Sequence, residues 1–209
     1  MKIICTSDTH GRHNLLNVPE GDVFIHAGDF TMVGAEEEVR SFSNFLKKLP
    51  HKYKIVIAGN HDVSFETNPV DAKSWLDNSC IYLESDGIEI EGVKFWGSPW
   101  TPWISDRWAF QGTTKQLSQE WQKIPTETDV LITHTPPNSI LDKLAHNGAH
   151  IGSADLTTRS LLVVKPKIHI FGHIHESSGI ENKGETLFIN ASMLNERYEP
   201  NRECFEIIL

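Results

Sequence analysis

The sequence lacks the features of a disulfide-stabilised or membrane-spanning protein. Its 209 residues include only three cysteines, Cys5, Cys80 and Cys204, which are odd in number and widely spaced. They fit neither a disulfide framework nor a zinc ribbon, and they favour a reducing cytoplasm. No run of about 18 apolar residues is present, so we expect no transmembrane helix. The first five residues already enter a strand-like run, so we expect no signal peptide.

Basic residues are also in short supply. The 19 lysines and arginines against 28 aspartates and glutamates give a net charge of −9. This balance argues against broad binding to nucleic-acid backbones or anionic membranes, because both favour a basic surface. It does not exclude a small phosphoester substrate, since bound metal ions can reverse the charge locally. The sequence shows no repeat or linker, and its length predicts a single domain over residues 1–209.

Eight apolar runs predict β-strands, and most of them are rich in Val, Ile and Phe between turn residues. They cover residues 2–6, 22–27, 54–58, 87–96, 129–133, 167–171, 186–189 and 204–209. The run 87–96 alternates around Glu91-Gly92, which predicts a hairpin. A helical stripe predicts a helix over 35–49, with Glu36 to Glu38 as a solvated first turn, and weaker helices are predicted over 71–77 and 155–164. Strands alternating with helices and then with hairpins indicate an α/β domain with mixed sheets.

Five of these strands end at short polar clusters. In an extended segment, residues two apart point to the same side, so His173 and His175 would present two imidazoles to one place. A pair of surface histidines would explain an isolated His-x-His motif equally well. In α/β sheets, however, ligands bind beyond the carboxyl ends of strands, and here the clusters follow five core-like strands. They contain, in chain order, Asp8 and His10, Asp29, Asn60 and His61, His134, and His173 and His175.

Seven of these side chains make a donor set of nitrogen and oxygen without sulfur. They are Asp8, His10, Asp29, Asn60, His134, His173 and His175. A single four-coordinate zinc ion would not need so many ligands. Two metals about 3.5–4 Å apart that share one carboxylate would use all of them. With only two aspartates as anionic ligands, such a site would remain positive and would attract phosphate.

The clusters resemble, in order, the five motifs of the calcineurin-like metallophosphoesterases. The matching segments are Asp8-x-His10, Gly28-Asp29, Gly59-Asn60-His61-Asp62, the His134 segment and Gly172-His173-x-His175. Residues 24–31, 55–62 and 96–103 are similar to the brain-type, metallophosphoesterase-domain-containing branch. The resemblance implies a four-layer α/β/β/α sandwich with two mixed sheets and a dinuclear metal site at the strand ends.

The resemblance also implies a role for each residue of the motifs. Asp8, His10 and His175 would hold the first metal, and Asn60, His134 and His173 would hold the second. Asp29 would bridge the two ions. His61 would be a catalytic residue that binds no metal and faces the phosphate or the leaving group. The ions would be two divalent transition metals, with manganese, iron, zinc, cobalt and nickel all suited to these ligands.

The implied activity is a phosphodiesterase that hydrolyses nucleotide-like or cyclic nucleotide diesters by direct attack of a metal-bridging hydroxide. The segment Phe30 to Gly34 lacks the arginine that protein phosphatases of this family carry, which puts a phosphoprotein substrate in doubt. A phosphomonoesterase with the same mechanism is an alternative. A non-catalytic, metal-bound scaffold for protein partners is a second alternative, disfavoured because all seven ligands and His61 are present.

Other polar and aromatic residues allow two interpretations each. Asp62 would either orient His61 or belong to a plain turn, and Arg12 would either touch substrate or lie in a solvated loop. Four of the six tryptophans fall in residues 95–110. Trp100 and Trp103 would either stack on a nucleobase or help to seal one end of the sandwich or form a dimer contact.

Overall fold

The computed structural model describes residues 1–209, and thirteen β-strands form most of its regular structure. The strands are β1 (Lys2–Thr6), β2 (Val23–Ala27), β3 (Tyr53–Ile57), β4 (Ile81–Tyr82), β5 (Asp86–Ile90), β6 (Val93–Ser98), β7 (Thr101–Pro102), β8 (Gln111–Gly112), β9 (Val130–Thr133), β10 (Ile168–Phe171), β11 (Gly179–Lys183), β12 (Thr186–Asn190) and β13 (Phe205–Ile208). The helices are α1 (Glu36–Lys48), α2 (Ser64–Thr67), α3 (Pro69–Trp75), α4 (Thr114–Gln122) and α5 (Ala154–Thr158). None of them combines the length and apolar character needed to cross a bilayer.

The strands form two large mixed sheets and one small two-stranded sheet. The first sheet has the order β13-β1-β2-β3-β4, in which only β13 runs antiparallel to its neighbour. The second has the order β11-β12-β10-β9-β6-β5, with a parallel centre and an antiparallel strand at each edge. The strands β7 and β8 pair separately.

The two large sheets pack face to face and carry helices on their outer faces. Ile25 of the first sheet and Ile132 and Ile170 of the second are fully buried in one shared cluster. The alternate residue Phe24 packs outward with Phe42 of α1. Leu131 of the second sheet packs outward with α4 and α5. Each buried Ile, Leu or Phe side chain stabilises this arrangement by about 1.5–3 kcal/mol. The predicted four-layer α/β/β/α sandwich is therefore confirmed.

Most predicted elements are present, and the exceptions have simple causes. The hairpin over 87–96 is formed by β5 and β6, and both Glu91 and Gly92 at its turn have positive φ. The predicted helix over 155–164 is only partly α-helical, because α5 continues as a π-helical turn over Arg159–Val164. The sequence did not indicate α4, which buries only Leu117 and Trp121, or the polar strand β11. The assignment of residues 1–209 to a single domain stays a prediction.

One edge of the sandwich collects the carboxyl ends of the strands that carry the polar clusters. The parallel strands β1, β2 and β3 end there from the first sheet, and β9 and β10 end there from the second. A β-bridge between Ser7 and Ser192, just after β1 and β12, joins the two sheets at this edge. Loops that are remote in the sequence therefore meet in one place.

Candidate metal centre

The first group of candidate ligands comprises Asp8, His10 and His175, which follow β1 and β10. The two imidazoles face each other through their Nε2 atoms, which are 3.2 Å apart. Nε2 of His175 also lies 3.5 Å from Oδ1 of Asp8. All three residues are buried. Two nitrogen atoms and a carboxylate oxygen thus converge at a distance that one metal ion could span.

The second group comprises Asp29, Asn60, His134 and His173, which follow β2, β3, β9 and β10. Nε2 of His134 lies 3.1 Å from Oδ1 of Asn60 and 3.3 Å from Oδ2 of Asp29. The His173 ring lies edge-on to that of His134, with 5.0 Å between centroids. Asp29, His134 and His173 together could hold an ion.

Asp29 connects the two groups. Its Oδ2 lies 3.3 Å from Nε2 of His134 and 3.8 Å from Nε2 of His10. Its Oδ1 accepts the backbone N–H of His61 at 2.8 Å. The carboxylate is therefore fixed in orientation, with one oxygen between histidines of both groups.

The backbone at this edge is held in an unusual conformation. Asp8, His10, Asp29 and His173 have φ values of 54°, 42°, 56° and 71°, in the left-handed region. Such residues carry about 1–3 kcal/mol of strain each and persist where surrounding contacts enforce them. Four of the thirteen non-glycine residues with positive φ are candidate ligands.

Two glycines allow the close packing of the carboxylates. A Cβ atom at position 59 would overlap with Oδ1 of Asp29, and one at position 172 would overlap with Oδ2 of Asp8. Any larger residue at either position would displace a carboxylate. Steric constraints therefore explain why Gly59 and Gly172 are glycines.

Hydrogen bonds from the far side of each ring fix the histidine tautomers. Nδ1 of His134 donates to the Ala27 carbonyl at 2.9 Å, and Nδ1 of His175 donates to the Asn195 carbonyl at 3.0 Å. A carbonyl can only accept, so each Nδ1 carries the proton and each Nε2 is left to bind a metal. These oriented imidazoles fit a metal site.

The charges at this edge also suit bound cations. Burial alone would raise the pKa values of Asp8 and Asp29, but His175 and His134 respectively lower them below the usual range. Burial alone would lower the pKa values of His134 and His175, but Asp29 and Asp8 respectively raise each to about 9. Without metal, these two histidines are therefore protonated at neutral pH. Bound metals would replace those protons, so metal binding should release them.

His61 lies beside these groups with its own hydrogen bond. Its Nδ1 donates to the Met32 carbonyl at 2.8 Å, and its ring is 4.5 Å from the His10 ring. The loop that presents Met32 is fixed by Glu38, whose carboxylate accepts the N–H groups of Met32 and Ala35. Glu38 therefore binds backbone rather than water alone, contrary to the predicted solvated helix start.

Asp62 binds backbone N–H groups of the loops after β2 and β3, and a role in orienting His61 stays a prediction. Its carboxylate accepts the N–H groups of Asp29 at 2.9 Å and Gly59 at 2.8 Å. It also accepts both the N–H and the hydroxyl of Thr31. Burial, with Asp29 nearby, raises its pKa to about 7. Asp62 thus joins the loops after β2 and β3 and positions the backbone of Asp29.

The three predicted substrate contacts differ in their surroundings. Arg12 is exposed and forms no ion pair. Trp100 packs beside the cluster under α4 and meets the Phe110 ring edge-on at 6.2 Å. Trp103 is 63 % exposed and lines a groove of about 580 Å³ together with His150. Roles for these residues in substrate binding stay predictions.

Three residues at the site escaped the sequence prediction. Trp108 stacks on His61 with 3.9 Å between ring centroids. Tyr198 meets the rings of His10 and His175 edge-on at 4.9 and 5.2 Å. Ser192 donates from its hydroxyl to Asp8. The concentration of tryptophan in residues 95–110 was a signal for Trp108, whereas no motif marks Ser192 or Tyr198.

Comparisons with known proteins agree with this geometry. The family model described as calcineurin-like phosphoesterase matches residues 1–177. Human metallophosphoesterase domain-containing protein 1 is 38 % identical over 223 residues, which cover 95 % of this chain and 68 % of that protein. The mouse protein of the same name has the same identity and coverage.

A solved structure is also similar in fold. The crystal structure of TT1561 of Thermus thermophilus superimposes with a TM-score of 0.60, covering 90 % of this chain and 88 % of that chain at 14 % identity. At that identity the likeness concerns the fold alone. By sequence, the chain belongs to the calcineurin-like phosphoesterase family of metal-dependent phosphoesterases.

Proposed function

We propose that this chain is a dinuclear, metal-dependent phosphodiesterase that acts on nucleotide-like or cyclic nucleotide diesters. The observation that carries the proposal is the position of Asp29, whose Oδ2 lies 3.3 Å from Nε2 of His134 and 3.8 Å from Nε2 of His10. A carboxylate oxygen shared by two groups of ligands is what two neighbouring ions require. A single ion would use only one of the two groups of candidate ligands.

The ligands divide between two ions in this proposal. Asp8, His10 and His175 would hold the first ion, Asn60, His134 and His173 would hold the second, and Asp29 would be the ligand shared by both. When bound, two such ions lower the pKa of a shared water and stabilise the charge that develops on phosphate oxygens. The protein contributes the orientation of the ligands, because the tautomers of His134 and His175 are set by backbone carbonyls.

His61 acts in this proposal as the general acid for the departing oxygen. Its Nδ1 is engaged by the Met32 carbonyl, so its Nε2 is the atom left to face the substrate. His61 also lies within reach of His10 and Asp29 in a third possible ligand group. We assign it no metal, because seven other donors suffice for two ions. A positioned general acid contributes about 10²–10⁴-fold to the rate.

A diester is the preferred substrate class because the loop after β2, residues 28–35, contains no arginine. The loop after β2 exposes Met32 and Val33, by 41 % and 60 %, where a protein phosphatase would carry an arginine. Trp108 and Tyr198, which pack on the site's histidines, are also uncharged. A monoester dianion would gain from an extra cation, whereas a diester carries one charge fewer. A cytoplasmic location is part of the proposal, supported by the three free cysteines.

The test is a metal analysis paired with a substrate screen. Metal-free protein is reconstituted separately with Mn, Fe, Zn, Co and Ni, and ions per chain are counted. Hydrolysis of bis-p-nitrophenyl phosphate is then compared with that of p-nitrophenyl phosphate, followed by cyclic nucleotides. We expect two ions per chain and a higher kcat/KM for the diester. Full activity with one ion would refute the dinuclear site, and preference for the monoester would favour a phosphomonoesterase.

A further inference from the structure

The loop between β7 and β8 is fixed by a single side-chain amide. Oε1 of Gln111 accepts the N–H groups of Ile104 and Ser105, at 2.5 and 3.0 Å. Its Nε2 donates to the carbonyls of Ser105 and Trp108, at 2.6 and 2.7 Å. Four hydrogen bonds from one residue hold the loop as a unit, and the backbone of Trp108 is part of that unit.

The same loop is bonded to the segment that carries two site residues. The N–H of Ala109 donates to the carbonyl of Asn60 at 3.0 Å, and the N–H of Thr101 donates to the carbonyl of Phe110 at 2.8 Å. Ala109 and Phe110 are buried. The position of Trp108 is therefore set relative to the turn that contains Asn60 and His61, and not by the loop alone.

The indole of Trp108 covers one face of the His61 ring. The ring centroids are 3.9 Å apart and the planes are tilted by 30°, which is a tilted stacking contact. The His10 ring meets His61 edge-on at 4.5 Å, and Nδ1 of His61 is bound to the Met32 carbonyl. The imidazole is thus restrained by a face contact, an edge contact and a hydrogen bond.

We propose that Trp108 is a positioning residue for His61, and that Gln111 holds Trp108 in place. This inference rests on the proposed catalytic role of His61. Removal of the indole would leave one face of the imidazole open and would let the ring rotate away from the departing oxygen. A catalytic group displaced by about 1 Å can lose about 10²-fold in rate. Trp108 is not itself a candidate ligand, so the loss should fall on proton transfer and not on metal binding.

The variants are Trp108→Ala, Trp108→Phe and Gln111→Ala, with Ile104→Ala as a matched control. The Ile104 side chain is 43 % exposed in the same loop, and its bond to Gln111 uses backbone only. In Trp108→Phe a smaller aromatic ring can still stack on His61, so this variant should keep most of the wild-type kcat. Gln111→Ala should act in the same direction as Trp108→Ala, and it serves as the second variant if Trp108→Ala does not fold.

Two measurements are made on each variant. In metal-free protein, NMR of labelled histidine reports the ring-current shift of the His61 ring protons, assigned with His61→Ala. In reconstituted protein, kcat and KM are measured for a diester with a p-nitrophenol leaving group and one with an alkyl leaving group. For Trp108→Ala we expect loss of the ring-current shift, and roughly a 10- to 100-fold lower kcat on the alkyl ester with little change in KM. The p-nitrophenyl ester should be less affected, because its leaving group needs little protonation.

The proposal would be overturned if Trp108→Ala lowered kcat equally for both leaving groups. It would also be overturned if Ile104→Ala lowered kcat as much as Trp108→Ala. An unchanged ring-current shift in Trp108→Ala would overturn it as well. If the wild-type protein hydrolyses no phosphoester with any metal while the shift still depends on Trp108, then the proposed function fails and the contact between Trp108 and His61 stands. The NMR arm therefore separates the two failures.

Discussion

The hydroxyl of Ser192 donates a hydrogen bond of 2.8 Å to Oδ2 of Asp8, which lies 184 residues away. The same hydroxyl is 2.8 Å from Oδ1 of Asn190, and the N–H of His173 also donates to Asp8, at 2.9 Å to Oδ2. Asp8, near the N-terminus, is thus oriented by two residues from the C-terminal part of the chain. Hydrogen-bond partners of a metal ligand set its direction and its basicity.

Replacement of Ser192 by alanine should weaken metal binding at the Asp8 site. A lost partner of this kind typically lowers metal affinity about 10–100-fold. Competition with a chelator measures the affinity of each ion. Ser43→Ala is the control, because its buried hydroxyl donates to the Leu76 carbonyl and to no candidate ligand. Ser43→Ala should lower the stability of the fold and leave metal affinity unchanged. An equal loss of metal affinity in Ser43→Ala and Ser192→Ala would contradict the prediction.

Replacement of Asp29 by alanine should remove both ions. Its Oδ2 lies near histidines of both groups, whereas His173 belongs to only one group. His173→Ala should therefore weaken mainly the second ion. Elemental analysis after dialysis gives the ions per chain. If Asp29→Ala retains one ion as tightly as the wild type, Asp29 is not a shared ligand.

Replacement of His61 by alanine should leave the metal content intact and lower kcat. General-acid catalysis predicts a loss of about 10²–10⁴-fold for an alkyl leaving group. The loss should shrink for p-nitrophenol, which departs readily without a proton. Steady-state kinetics on both esters decides the matter, and equal losses would point to stabilisation of the phosphoryl group instead.

Buried neutral histidines should make the protein less stable in acid. His169 is fully buried, and burial lowers its pKa to about 3. Because the unfolded chain takes up this proton near pH 6.5 and the folded state resists it, the stabilisation is complete above pH 6.5 and is lost as the pH falls towards 3. The expected loss is about 1.4 kcal/mol per pH unit between pH 6 and 4.

The matched variant for this prediction is His169→Gln, which can still donate to the hydroxyl of Thr133. Urea unfolding of metal-free protein at several pH values should show a flatter acid slope for the variant than for the wild type. Parallel slopes would mean that His169 does not carry this proton linkage.

Stacking of a nucleobase on Trp100 or Trp103 would appear as a change in substrate preference. Trp103 is 63 % exposed and has a free face, whereas Trp100 is partly buried. Each Trp→Ala change should raise KM for a nucleotide diester. The loss in kcat/KM should correspond to about 1–3 kcal/mol, while kcat/KM for a ringless diester stays unchanged. If the ratio between the two substrates stays constant in both variants, the stacking role is refuted, and a lower melting temperature would favour the sealing cap.

The local pattern of the sequence determined much of the fold. The runs ending at Thr6, Ala27 and Phe171 show the continuous apolar character of strands that are buried on both faces. Because parallel strands end at a common edge, the apolar runs alone predict that the polar residues following them lie together. The donor types then indicated metal ions, and their number indicated two.

Only the tertiary structure decided which other side chains meet this donor set. The contacts of Ser192 with Asp8 and of Trp108 with His61 join segments that no periodicity relates. The sequence left two roles open for Asp62, because adjacency to His61 does not fix where a side chain points. Loop conformations, including the left-handed backbone at Asp29, depend on hydrogen bonds from distant residues. Local sequence thus determined the strands and the candidate ligands, while long-range packing determined how they are oriented.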